Sequence, residues 1–197
     1  MTRTLIALGA LLLLAFGAAA QPPTTALAPD SIYRLASQFS DQDGREFQLA
    51  QRRGRAQLVA MFYTSCKYVC PLIVDSAKGV EHALTPDERA RLGILLVSLD
   101  PARDDTAALK SVFDKRRLDA ATWTLARTGE SDVRKFAALL GVRYRPLADG
   151  EFNHTSALVL LDVEGRKLAS SSRLGATPEP EFVAAVRAAL VAPEPPP

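Results

Sequence analysis

Ala56-Gln-Leu-Val-Ala-Met-Phe-Tyr-Thr-Ser-Cys66-Lys-Tyr-Val-Cys70-Pro71 is the stretch that decides the fold. Residues 56–63 form a nearly continuous apolar run, the pattern of a strand buried on both faces. Two cysteines follow at once, and Pro71 opens a helical stretch over residues 71–84 that Thr85-Pro86 ends. A buried strand running into a helix through a short turn is the elementary unit of an α/β sheet. Ligands in such sheets collect just beyond the carboxyl ends of strands, which is where the cysteines fall.

Outward from this unit the pattern alternates. Residues 39–49 read as a hairpin around Asp41-Gln-Asp-Gly44. Residues 92–99 are a second buried strand, and residues 104–117 a helix with acidic residues in its first turn. Residues 123–126 read as a short strand. A helix follows from a Ser131 cap to Leu140, and Gly141 ends it. Residues 156–161 are a strand, turned by Asp162-Val-Glu-Gly165 into residues 166–170. Residues 179–191 are the last helix, with prolines at its start. The expectation is a mixed α/β sheet flanked by helices, with β-hairpins added at both ends, compatible with a thioredoxin-like fold.

The termini differ from this body. Arg3 precedes an apolar stretch, and Ala18-Ala-Ala20 supplies small residues for a signal peptidase. Residues 1–20 therefore read as a secretory signal, with an uncleaved anchor as the alternative. No cysteine lies near the cleavage point, which argues against lipidation. Residues 21–30 are a flexible Pro/Thr/Ala lead-in, residues 31–191 one domain, and residues 192–197 a Pro-rich tail. The formal net charge is +2, with no basic run, so a nucleic-acid surface is excluded.

An exported chain with only two cysteines is not a disulfide scaffold. Three residues separate Cys66 from Cys70, one helical turn, so both sulfurs face one point. The helix N-terminus and Lys67 favour thiolates, the form that binds metal and attacks disulfides. The three-residue gap is wider than the two of the usual dithiol redox motif and leaves room for an ion. Of two histidines, His82 reads as a solvated residue near a helix end. His154, in Gly150-Glu-Phe-Asn-His-Thr-Ser156, precedes a buried strand as a loop residue; the residues alone leave ligand and bystander both open. Two thiolates and an imidazole suit Cu(I), or Cu(II) with a further weak ligand, better than a four-ligand zinc site. Asp100, in Val97-Ser-Leu-Asp-Pro-Ala-Arg-Asp104, is either a carboxylate supporting that site or a turn residue before Pro101.

Three segments in order, Phe-Tyr-Thr-Ser-Cys66-Lys-Tyr-Val-Cys70-Pro, Val-Ser-Leu-Asp100-Pro-Ala-Arg-Asp and Phe-Asn-His154-Thr-Ser, resemble the SCO/SenC family of copper-binding proteins. The resemblance implies a thioredoxin fold with added hairpins and copper held by Cys66, Cys70 and His154, with Asp100 nearby. It implies a metallochaperone, not an enzyme, that helps assemble the binuclear copper centre of cytochrome c oxidase subunit II. The alternative is a thiol–disulfide reductase that keeps the subunit II cysteines reduced through Cys66 and Cys70. A peroxidase is disfavoured because no arginine lies in the cysteine segment. The expected partners are subunit II and another exported copper chaperone. The chain is expected to be a monomer in the periplasm or at the outer face of the inner membrane.

Overall fold

The computed structural model describes residues 26–66 and 69–191. The signal, the first part of the lead-in, Lys67 and the Pro-rich tail lie outside the described residues. A seven-stranded mixed sheet forms the centre, in the order β2-β1-β5-β4-β3-β8-β9. Its middle is parallel: β3 (Ala56–Phe62) pairs with β4 (Leu92–Ser98), and β4 with β5 (Trp123–Thr128). Antiparallel hairpins close both edges: β1 (Gln38–Asp41) with β2 (Glu46–Gln48), and β8 (Leu158–Leu161) with β9 (Lys167–Ser171). β3, β4 and β8 are buried along their full lengths, as apolar strands covered on both faces must be. This is the expected thioredoxin-like α/β arrangement with added hairpins.

The helices are α1 (Val69–His82), α2 (Pro86–Arg91), α3 (Thr106–Lys115), α4 (Glu130–Leu140) and α5 (Pro180–Leu190). Trp123, Phe39, Phe62 and Phe136 are the largest fully buried side chains. The Trp123 indole donates to Glu81 Oε2 at 3.0 Å, so the one polar group of that ring is satisfied inside the core. Its neighbour His82 is exposed at the end of α1, as its position in the sequence suggests.

Several local expectations are corrected. α1 begins at Val69, so Cys70 lies within its first turn, where Pro71 costs no hydrogen bond. Thr85-Pro86 ends α1 but also starts α2: Thr85 and Glu88 form a reciprocal capping box. Ser131 is not a cap; Gly129 is, and its carbonyl accepts from Asp132 and Val133. Gly141 does end α4, in the left-handed region at φ 76°. α3 starts at Thr106, not at residue 104, with Asp105 as its cap, so the acidic residues precede its first turn. His154 is not a loop residue. It ends β7 (Phe152–His154), which pairs with β6 (Tyr144–Pro146) in a separate two-stranded sheet.

Candidate functional site

The site is built where β3 and β4 end side by side, with Phe62 in register with Ser98. The Leu99 N–H donates to the Phe62 carbonyl at 2.7 Å, tying the two exits together. Beyond Phe62 the chain turns over residues 63–66 into α1. The Tyr63 N–H donates to Cys70 Sγ at 3.4 Å, and the Cys70 N–H donates to Cys66 Sγ at 3.3 Å. Both cysteines are thiols, Cys70 buried and Cys66 half-buried. Cys66 thus receives a backbone donor from the first turn of α1, the setting that favours a thiolate.

Cys70 behaves differently. Burial pushes its thiol well above the ordinary range, against the lowering effect of the Tyr63 N–H, and Cys66 and Asp104 push the same way. The helix start therefore does not make Cys70 a thiolate, because desolvation outweighs it. Cys66 and Cys70 line a cleft of about 350 Å³ whose far wall carries Lys115 and Arg116. The fold thus brings an arginine to the cysteines that the segment itself lacks. That arginine is held by Asp75 and the Pro71 carbonyl.

The turn leading to Cys66 hangs on one carboxylate. Asp104 is fully buried and accepts from the Thr64 N–H (3.1 and 3.2 Å to its two oxygens), the Thr64 hydroxyl (2.5 Å) and the Ser98 hydroxyl (2.5 Å). Burial raises its pKa in spite of these donors.

His154 reaches the site on the β6–β7 hairpin. Its ring packs edge-on against Tyr63, centroids 5.9 Å apart, and Tyr63 packs the same way on Phe152 at 5.3 Å. The Tyr63 hydroxyl donates to Glu151 Oε2 at 2.8 Å. Burial, then the Glu151 bond, then Cys66 raise the Tyr63 pKa, so the phenol stays protonated and lies close to the Cys66 thiol. His154 Nδ1 lies 3.1 Å from the Thr155 carbonyl, which only accepts. The proton therefore sits on Nδ1 and the Nε2 lone pair remains available to a ligand. Burial lowers the His154 pKa, so the neutral form extends to lower pH.

Asp100 is buried; its N–H donates to Ser98 Oγ at 2.9 Å, and its carboxylate pairs with Arg103. Arg103 donates onward to the Gly150 carbonyl at 2.5 Å and lies over the Phe152 ring, 6.0 Å from its centroid. Asp100 therefore acts on the hairpin that carries His154, through Arg103.

The SCO1/SenC family profile matches residues 29–190. This chain belongs to the SCO1/SenC family. It is 23% identical over 154 residues to the SCO1 protein homolog of Bacillus subtilis, covering 77% of this chain and 79% of that protein. The copper-bound structure of ScoI from Bradyrhizobium japonicum matches with TM-score 0.63 and 23% identity, over 77% of this chain and 96% of that one. BsSco, described as a member of the Sco family of cytochrome c oxidase assembly proteins with a disulfide switch, matches with TM-score 0.66 and 21% identity, over 78% and 91% of the two chains. These likenesses establish the shared fold.

In this SCO1/SenC chain the residues singled out in sequence fall in two groups. Cys66 and Cys70 are in direct contact. His154 meets them through Tyr63, and Asp100 meets His154's hairpin through Arg103. Among the described residues no three His, Cys, Asp or Glu side chains are gathered into a ready cage. Sequence reasoning missed Tyr63, Glu151, Arg103 and Asp104. All four stand inside the segments read for chemistry, yet their partners are 88, 88, 47 and 40 residues away in the chain.

Proposed function

We propose that this SCO1/SenC protein carries copper as cargo for assembly of the binuclear copper centre of cytochrome c oxidase subunit II. Cys66, Cys70 and His154 would hold the ion. The observation that carries the reading is the meeting of a helix-start dithiol with a histidine that keeps Nε2 available, through one tyrosine. Two sulfurs and one imidazole are the donor set suited to Cu(I). The Cys70 proton must leave when metal binds, so loading releases a proton and weakens as pH falls. A site assembled from a turn and a separate hairpin suits a carrier, because ligands can be exchanged one at a time. Export to the periplasm, or to the outer face of the inner membrane, is part of this reading and rests on residues 1–20.

The test is Cu(I) titration of the reduced chain lacking its first 20 residues. One equivalent should bind, and Cys66→Ala, Cys70→Ala and His154→Ala should each weaken binding by about a hundredfold or more. Undiminished affinity in all three would overturn the assignment.

A second reading has its own support. Cys66 is the more exposed sulfur and Cys70 the buried one in contact with it, an attacking and a resolving thiol. The Cys66 thiolate would attack a substrate disulfide, forming a mixed disulfide and releasing one substrate thiolate. Cys70, losing its proton, would then displace the second, leaving a Cys66–Cys70 disulfide and a dithiol product. Reduction of subunit II retained in His154→Ala but lost in both cysteine variants would favour it over copper transfer.

A further inference from the structure

A second cleft in the described residues lies away from the cysteines. It has a volume of about 680 Å³ and lies on the other side of the histidine hairpin. Leu99, Pro101, Tyr144 and Phe152 contribute apolar surface to it, and that volume lies within the ordinary range for binding sites. It shares Asp100 and Phe152 with the tether of His154 described above. Nothing in the copper or thiol chemistry uses it.

Its lining carries a small excess of positive charge. The lining holds Arg127, Arg134 and Arg145 against Asp100 and Glu130. Both acids already have an arginine: Asp100 pairs with Arg103, and Glu130 with Arg134 at 3.0 Å. Among the described residues Arg127 and Arg145 pair with no carboxylate, and neither does Arg143, next to the cleft on β6's approach. Arg127 gives one donor to the Pro101 carbonyl at 2.7 Å, while its Nε is buried with no partner. Arg143 and Arg145 are exposed, and α4 opens onto the cleft at Gly129 with no side-chain cap.

We propose that this cleft is the docking site for an acidic segment of a partner protein, its aromatic or apolar side chain packed against the touching rings of Tyr144 and Phe152 and its carboxylates on Arg127, Arg143 and Arg145. Charge complementarity selects that occupant over a basic or neutral segment. A partner held there lies against the strand pair that presents His154, so the docking face and the exchange site are contiguous. The proposal does not depend on copper being the cargo.

The test uses the metal-free reduced protein and a fluorescein-labelled Asp-Glu-Trp-Glu-Asp amide followed by anisotropy. Saturable binding is expected, with amide shifts confined to Tyr144, Arg145, Phe152 and Gly129. The Arg143→Glu/Arg145→Glu double variant should weaken it by about tenfold or more, as should raising salt from about 20 mM to about 300 mM. These two side chains are exposed, so an unchanged melting curve is expected and separates lost binding from lost folding. A Lys-Lys-Trp-Lys-Lys peptide binding as well as the acidic one would overturn the proposal, as would undiminished binding in the double variant. Indole-3-acetate binding as tightly as the peptide would assign the cleft to a small carboxylic acid instead. Failure here leaves the copper titration untouched, and failure of that titration leaves this binding untouched.

Discussion

Asp104 and Asp100 sit in one turn, joined by the Asp104 N–H to the Asp100 carbonyl at 2.9 Å, and their carboxylates serve opposite halves of the site. Asp104 holds Thr64, two residues before Cys66; Asp100 holds Arg103 and, through it, the hairpin of His154. One turn after β4 therefore sets the spacing between the thiols and the imidazole.

Asp104→Ala tests the first half. It would leave the Thr64 N–H, the Thr64 hydroxyl and the Ser98 hydroxyl without their acceptor. At about 1 kcal/mol for each stranded donor, urea unfolding should show a loss of about 3 kcal/mol. Asp104→Asn retains one oxygen and should recover part of it. A loss below about 1 kcal/mol would show that the carboxylate is not the anchor.

Arg103→Ala tests the second half. The Asp100–Arg103 pair is partly exposed on the arginine side, so global stability should change by less than about 1 kcal/mol. The effect should be local. The Leu147 and Thr155 amides close the hairpin on the Glu151 and Arg143 carbonyls. Their hydrogen exchange should quicken by about tenfold while that of β3 amides stays constant. Equal protection in variant and wild type would remove Arg103 from the tether.

Tyr63→Phe keeps the edge-on packing against Phe152 and His154 but removes the bond to Glu151. A loss of about 1 kcal/mol in stability is expected. Copper affinity, read in the same titration as above, should fall less than in His154→Ala, because the ligand itself is intact. Glu151→Gln, which keeps an acceptor oxygen, should lie near wild type. If Tyr63→Phe weakened copper as much as His154→Ala, the hydroxyl would have to be a ligand and not a strut.

The parallel centre of the sheet was legible because β3 and β4 are unbroken apolar runs, and burial on both faces demands that pattern. The β6–β7 hairpin was not. Tyr144-Arg-Pro146 and Phe152-Asn-His154 are three residues each, half polar, and show no alternation that a strand reading can use. α2 was legible but overlooked: Thr85-Pro86 can end a helix, yet Thr85-Pro-Asp-Glu88 is also the sequence of a capping box that starts one. In the site, the closeness of the two cysteines was legible from their spacing, although Cys66 precedes α1 and is joined to it by the Cys70 N–H. His154's surroundings follow from contacts such as Tyr63 to Glu151, which no local periodicity encodes.

The inequality of the two thiols yields a pH prediction. Burial raises the folded-state pKa of Cys70 above its unfolded value of about 8.5. The native state then holds this proton more tightly than the unfolded chain does, so stability falls as pH rises past the unfolded value. In the reduced protein the unfolding free energy should drop by roughly 1.4 kcal/mol between about pH 7.5 and about pH 9.5 on account of Cys70. That window lies below the range in which the raised tyrosines Tyr33 and Tyr63 add the same sign of slope. Cys70→Ala should flatten it, whatever its effect on absolute stability. Alkylation reads the same inequality kinetically. At about pH 8, iodoacetamide should modify Cys66 in a Cys70→Ser variant at least about tenfold faster than Cys70 in a Cys66→Ser variant. Equal rates, together with an unflattened slope in Cys70→Ala, would show that desolvation does not control the buried sulfur.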